Sequence, residues 1–184
     1  MATNPESFTA WMKRMDVATN GNFRKVVRLM KYYKVHRGSF NGVKSVILTT
    51  LLGNQVDELA AAVNPSRYSD IPTTLVDLVT RLDEYLQQHE TMPSVPNPGG
   101  DGTNFDRRWE QSTYTNFRQR MAKAAQDMRA AAAEIDYDKS VKAWQEIFGD
   151  KFSPGGTSST ASISFPPSPA TPLGAVSGRS GKSG

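Results

Sequence analysis

The 184-residue chain contains no cysteine. That absence excludes disulfide scaffolds, thiol nucleophiles, Cys-ligated zinc and iron–sulfur clusters together. Histidine is almost as scarce: His36 and His89 are the only two and stand 53 positions apart, which argues against a histidine-rich metal site. There is no run of 18 apolar residues, so no membrane-spanning helix is expected, and the opening MATNPESFTA is neither basic nor hydrophobic, unlike a signal peptide. A cytoplasmic protein is the expectation. Charge is nearly balanced, with 22 Lys and Arg against 18 Asp and Glu. The formal net charge of +4 therefore selects no partner for the molecule as a whole.

Composition divides the chain in two. Residues 153–184 hold nine Ser, six Gly, five Pro and three Thr, too little apolar surface to offset the entropy of ordering, and are expected to form a disordered tail. Residues 1–152 are long enough for one modest core. Their apolar spacing is helical and Asn, Asp, Gly and Pro punctuate it, which predicts an all-α bundle of about six helices.

The first helix opens at Asn4-Pro5, runs through Phe8, Trp11, Met12 and Met15, and stops near Asn20-Gly21. The second spans 22–36. A third begins in VKSVILTTLL and continues to Val63, although its β-branched stretch is also compatible with a buried strand. Pro72 opens a fourth through Leu86, and a long loop covers 93–102. The fifth helix is expected over 105–133, and the last, 137–148, is closed by Gly149. Trp11, Trp109, Trp144, Phe105 and Phe117 fall at packing positions. His36 suits a helix C-terminus, and His89 is expected at the surface.

Local charge is more telling than the total. Residues 23–44 carry seven Lys/Arg and no acid, whereas 57–90 carry seven acids and two bases. Arg24, Arg28 and Lys31 share one helical face opposite Phe23, Val26, Met30 and Tyr33. Seven cations without an acid repel one another unless an anion is nearby. Lys44 and Ser45 follow the Asn41-Gly42 turn, in the first turn of the next helix, where free backbone amides and the helix dipole favour an anion. Lys31 and Ser45 are thus placed to bracket a polyphosphate, and the bland alternative is a solvated face with an ordinary cap.

The run FRKVVRLMKYYK, its loop and VKSVILTTLLG resemble the C-terminal helical lobe of the cGAS/DncV-like nucleotidyltransferases (CD-NTases), relatives of cyclic GMP-AMP synthase and oligoadenylate synthase. The loop VPNPGGDGTNFDRRW and the terminal AWQEIFGDKF are similar to that family as well, so the resemblance extends over about residues 5–152. It implies that Lys31 and Ser45 contact a nucleotide triphosphate, with Arg28 and Lys44 as neighbours. It also implies a two-lobed enzyme that makes cyclic oligonucleotide second messengers in antiphage defence from nucleoside triphosphates, with Mg2+ or Mn2+ in the full-length enzyme. Several relatives carry a base-stacking aromatic directly after the serine, where this chain has Val46.

The catalytic half of such an enzyme is missing from the sequence. Metal-dependent nucleotidyl transfer needs carboxylates on a strand near a Gly-Ser turn. Gly38-Ser39 is followed by no acid until Asp57, and the one D-x-D, Asp136-Tyr137-Asp138, reads as a helix-capping cluster. No catalytic or metal-binding residue is therefore assigned, and the chain is expected to be a fragment, the product of a split gene or a truncated gene model, inactive without an N-terminal catalytic lobe. An isolated lobe is also expected to expose an apolar patch. Some family members are joined through their C-terminal residue to other molecules by an E1/E2-like partner, which makes Gly184 a conjugation candidate. The competing reading is a non-catalytic basic helical module that binds nucleic acid or a protein partner.

Overall fold

The computed structural model describes residues 5–152. The anticipated tail, Gly184 and the Asn4 cap lie outside the described residues. Among those described, seven α-helices and one 3-10 turn form an all-α bundle, and no helix is long and apolar enough to cross a membrane.

Helix α1 spans Pro5–Ala18 and buries Trp11 and Met15. Thr19, fully buried, ends it and starts the next element. Its hydroxyl donates to the Met15 carbonyl at 2.9 Å and accepts the Phe23 amide at 2.9 Å. Helix α2, Phe23–His36, follows the predicted pattern. Phe23, Val26, Val27, Leu29, Met30 and Tyr33 are buried while Arg24, Lys25, Arg28 and Lys31 are exposed. His36 is its last residue and stacks on Tyr32, ring centroids 5.4 Å apart.

The expected long third helix is two helices. Helix α3, Ser45–Gly53, ends where the chain turns through Asn54 and Gln55, and α4, Glu58–Val63, begins afresh with Asp57 accepting the Ala60 amide at 2.9 Å. Gly53, the last residue of α3, lets Trp11 pack close, because a Cβ there would stand 2.3 Å from Cη2 of Trp11. Every residue from Ile47 to Gly53 is buried. Burial on all sides explains why this helix tolerates a β-branched run that also suits a strand.

A 3-10 turn over Pro65–Tyr68 leads to α5, Ile71–Gln87, whose N-cap Asp70 accepts the Thr73 amide at 2.8 Å. Helix α6, Gln111–Ala133, starts six residues later than the expected Phe105. Pairing across the preceding loop has claimed that backbone: the Asn97 amide donates to Thr103 and the Phe105 amide to Val95, both at 2.8 Å. Helix α7, Tyr137–Phe148, closes on Gly149 as predicted, and Asp136 of the D-x-D caps it by accepting the Lys139 amide at 3.1 Å.

The core lies between α5 and α6 and extends beneath α2 and α3. Leu75, Leu78, Leu82 and Leu86 meet Phe117, Met121, Ala124, Ala125 and Met128, all with 0–1 % exposure. Burying each large side chain contributes about 1.5–3 kcal/mol before entropy is counted. Trp11 and Trp109 are buried and Trp144 packs against the core, as their spacing predicts. His89 departs from its surface assignment: it is half-buried, its Nδ1 lies 2.7 Å from the Tyr85 carbonyl, and its own carbonyl accepts the Tyr114 hydroxyl. Large apolar side chains remain exposed at Val17, Val35, Leu59, Val63, Ile135 and Tyr137.

Candidate anion-binding site

The loop between α2 and α3 is held from both ends. Phe40 adopts a left-handed backbone, φ 55°, and inserts into the core with 1 % exposure, its ring 5.5 Å from Tyr33 and 5.1 Å from Phe117. The packing of that ring offsets the 1–2 kcal/mol, roughly, that a side chain loses in this conformation. Gly42, φ 79°, passes so close to α6 that a Cβ would lie 2.7 Å from Cγ2 of Thr113. Finally, the Lys34 ammonium on α2 donates to the Val43 carbonyl. The chain therefore enters α3 at a fixed point beside Lys34 of α2.

At that point Lys44 is the N-cap residue, extended at φ −66° and ψ 145°, and no side chain caps the helix. Lys44 thus stands just outside the first turn in which it was expected. The first intrahelical bond is donated by Leu48 to the Lys44 carbonyl, so the amides of Ser45, Val46 and Ile47 precede the helical ladder. Lys44 and Ser45 are both exposed. Lys31 lies one turn before Lys34 on α2 and is also exposed, yet surrounding protein removes enough water from its ammonium to lower its pKa below the ordinary 10.5. Arg28 is exposed one turn further back.

The basic segment is not as unopposed as its sequence suggests. Arg24 is matched by Asp16 of α1, which accepts the Arg24 backbone amide at 3.0 Å and approaches its guanidinium at 3.6 Å. Lys34 is engaged with Val43, and Arg37 donates to the Glu146 carbonyl at 3.0 Å. These partners come from elsewhere in the fold, so a window on α2 alone cannot reveal them.

Sequence reasoning passed over two cations that the structure brings to the start of α3. Arg107 and Arg108 line a cavity of about 470 Å3 together with Lys44, Val46, Asn104 and Phe105. The adjacent arginines in DRRW were a visible signal, but the expected helix over 105–133 would have pointed them about 100° apart. For metal ions the described residues contain no group of three or more His, Asp or Glu side chains suited to hold one.

No family model matches the chain. Among curated proteins it is 23 % identical over 153 residues to a cyclic AMP-AMP-AMP synthase of Acinetobacter sp. (strain ATCC 27244 / 9458), covering 83 % of this chain and 43 % of that protein. It is 25 % identical over 176 residues to a probable cyclic AMP-AMP-GMP nucleotide synthase of Salmonella paratyphi B, covering 92 % and 45 %. Its fold is similar to that of E. coli MS115-1 CdnC solved with ATP, with a TM-score of 0.56, 19 % identity and coverage of 76 % of this chain and 48 % of that one. The same fold likeness holds for CdnC in complex with HORMA-deltaN, at a TM-score of 0.56, 19 % identity and coverage of 77 % and 49 %. The chain spans less than half the length of the curated relatives it matches. Helical architecture and sequence similarity together relate this chain to the cGAS/DncV-like nucleotidyltransferases.

Proposed function

We propose that the chain is the nucleotide-binding C-terminal part of a synthase that joins nucleoside triphosphates into cyclic oligonucleotide messengers for antiphage defence. The observation that carries this reading is the uncapped start of α3, presented by a loop that Lys34 of α2 holds at the Val43 carbonyl. In the proposed complex the terminal phosphates accept hydrogen bonds from the Ser45 hydroxyl and the first amides of α3, and the Lys31 ammonium closes the other side. Partial desolvation of Lys31 strengthens its attraction for an anion, because Coulomb energy grows as the local dielectric falls. Lys44 and Arg28 flank the triphosphate. Val46 is smaller than the aromatic that several family members place there, so base stacking at that position is weak.

Phosphodiester formation itself is assigned to an N-terminal lobe. Mg2+ or Mn2+ would be held there by carboxylates that the described residues do not assemble. An E1/E2-like partner acting at Gly184 belongs to the same proposal, as does docking of a regulatory protein of the kind named in the CdnC complex.

Two measurements test the reading. Purified chain incubated with ATP, GTP, UTP and CTP and either metal is expected to yield no linear or cyclic product, and robust synthesis would refute the division of labour. Binding of ATP and of a single-stranded oligonucleotide is then compared across a salt series. The proposal expects saturable ATP binding that depends on Ser45. A nucleic-acid module instead gives oligonucleotide binding with a steep salt slope spread over Arg24, Lys25, Arg28 and Lys34.

A further inference from the structure

Helix α6 packs against both α5 and α7, and between those two lies a groove of about 760 Å3. One face of α5 lines it with Pro72, Val76 and Thr80, α6 adds Ala132, and α7 adds Ser140 and the half-buried Trp144. Tyr137 precedes Ser140 and Trp144 by three and seven positions, so it shares their face of α7, and it is 68 % exposed. The charges around the groove are answered within the fold. Asp77 accepts from Arg67 at 2.9 Å, Arg81 lies 3.4 Å from Asp57, and Glu84 and Arg129 are of opposite sign. What the groove presents is an apolar strip without net charge.

The described chain ends beside this strip. After α7 the Phe152 amide donates to the Gly149 carbonyl at 2.9 Å, and the Gln145 side-chain amide donates to the Phe152 carbonyl at 3.1 Å, which turns the backbone back on its helix. The Phe152 ring consequently lies 6.3 Å from Trp144 and 5.7 Å from Phe148. Residues 153–184 follow, and none from 153 to 178 is charged. Phe165 is their one aromatic residue, and Ala161, Ile163 and Phe165 alternate with Ser162 and Ser164. In an extended backbone that alternation puts the three apolar side chains on one side, and Pro166 biases Phe165 towards extended geometry. Eleven steps of chain from Phe152 to Ile163 reach at most about 40 Å, whereas the 12 residues of α7 cover about 18 Å. The tether is therefore long enough to lay the segment along the groove. A linker of this kind sets a local concentration on the order of millimolar, so modest contacts suffice.

We propose that the groove between α5 and α7 is the docking site of the chain's own segment 161–165, with Ile163 and Phe165 resting on Val76, Thr80 and Trp144. An uncharged segment suits a groove whose charges are already balanced, and it needs no core of its own because the groove supplies one. Docking would shorten the free arm that carries Gly184 from 32 residues, 153–184, to 19, 166–184.

The absence of cysteine allows a single nitroxide label on Ser164→Cys in the full chain, on the side of the segment away from Ile163 and Phe165. The backbone amide signals of Val76 and Thr80, on the wall opposite the tether, are expected to lose most of their intensity. Adding Ile163→Ser and Phe165→Ser is expected to restore both signals at unchanged melting temperature. Undiminished signals in the first protein overturn the proposal, and so does a loss that persists with the two serines, since tethering alone then accounts for it. Mixing nitroxide-labelled chain with isotope-labelled chain that lacks the nitroxide is expected to leave the signals intact. A loss in that mixture assigns the groove to a second copy and overturns docking within one chain. Unshifted Val76, Thr80 and Trp144 signals on introducing the two serines without any nitroxide also overturn it, and leave the groove to a separate protein partner.

Discussion

Lys31 combines exposure of its side chain with partial desolvation of its ammonium, and desolvation lets it lose its charge at lower pH than an ordinary lysine. Burial disfavours the charged form, so the folded pKa lies below the unfolded 10.5. Between these two values the unfolded chain binds more protons, so Lys31 costs the fold stability at lower pH and the cost is relieved as pH rises towards 10.5. Its contribution to anion binding runs the other way, because the ammonium loses its charge as pH passes its lowered pKa. ATP affinity is therefore expected to fall on the alkaline side before pH 10.5, whereas Lys31→Arg, which stays charged, keeps a flat profile over that range. Titrations in a series of alkaline buffers check this, and identical profiles for the two proteins contradict it. The residue-level signals legible in sequence were those that depend on helical spacing alone, such as the common face of Arg24, Arg28 and Lys31. The match of Arg24 with Asp16 was not legible, because a different helix supplies the acid.

Helix boundaries set the site as much as its side chains do. Elements whose ends are written in local chemistry, such as α2, α5 after Asp70 and Pro72, and α7 before Gly149, could be read directly from the chain. The α3–α4 break could not, and neither could the contact of Gly53 beside it with the Trp11 ring, 42 positions away in sequence. Likewise, the delayed start of α6 follows from hydrogen bonds across the 95–105 loop, and that delay carries Arg107 and Arg108 to the cavity beside the start of α3. Gly53→Ala is expected to destabilise the protein by about 1–3 kcal/mol, an overpacking cost that exceeds the helix propensity gained. Thermal or urea unfolding measures it, and a neutral or stabilising effect contradicts the assigned contact. Asp70→Ala, which removes the α5 cap, is expected to cost about 1 kcal/mol by the same assay.

At the scale of the whole molecule, the chain forms an all-α bundle, spans less than half of its curated relatives and, among its described residues, has no metal-binding carboxylate cluster. The parts of the architecture were visible in sequence to different degrees. The bundle and the cationic segment were, because periodicity and charge are local quantities. The cavity beside the start of α3 was not, because Lys44 and Arg107 come to line it together only with the later start of α6. The most direct test of the central claim is the affinity of the chain for AMP, ADP and ATP, measured for the unaltered protein and for Lys31→Ala and Ser45→Ala. Affinity is predicted to rise with each phosphate added, by about tenfold overall, and both substitutions are predicted to flatten that rise without lowering the melting temperature. Equal affinity for the three nucleotides, or an undiminished rise in both variants, would contradict a triphosphate held between α2 and α3.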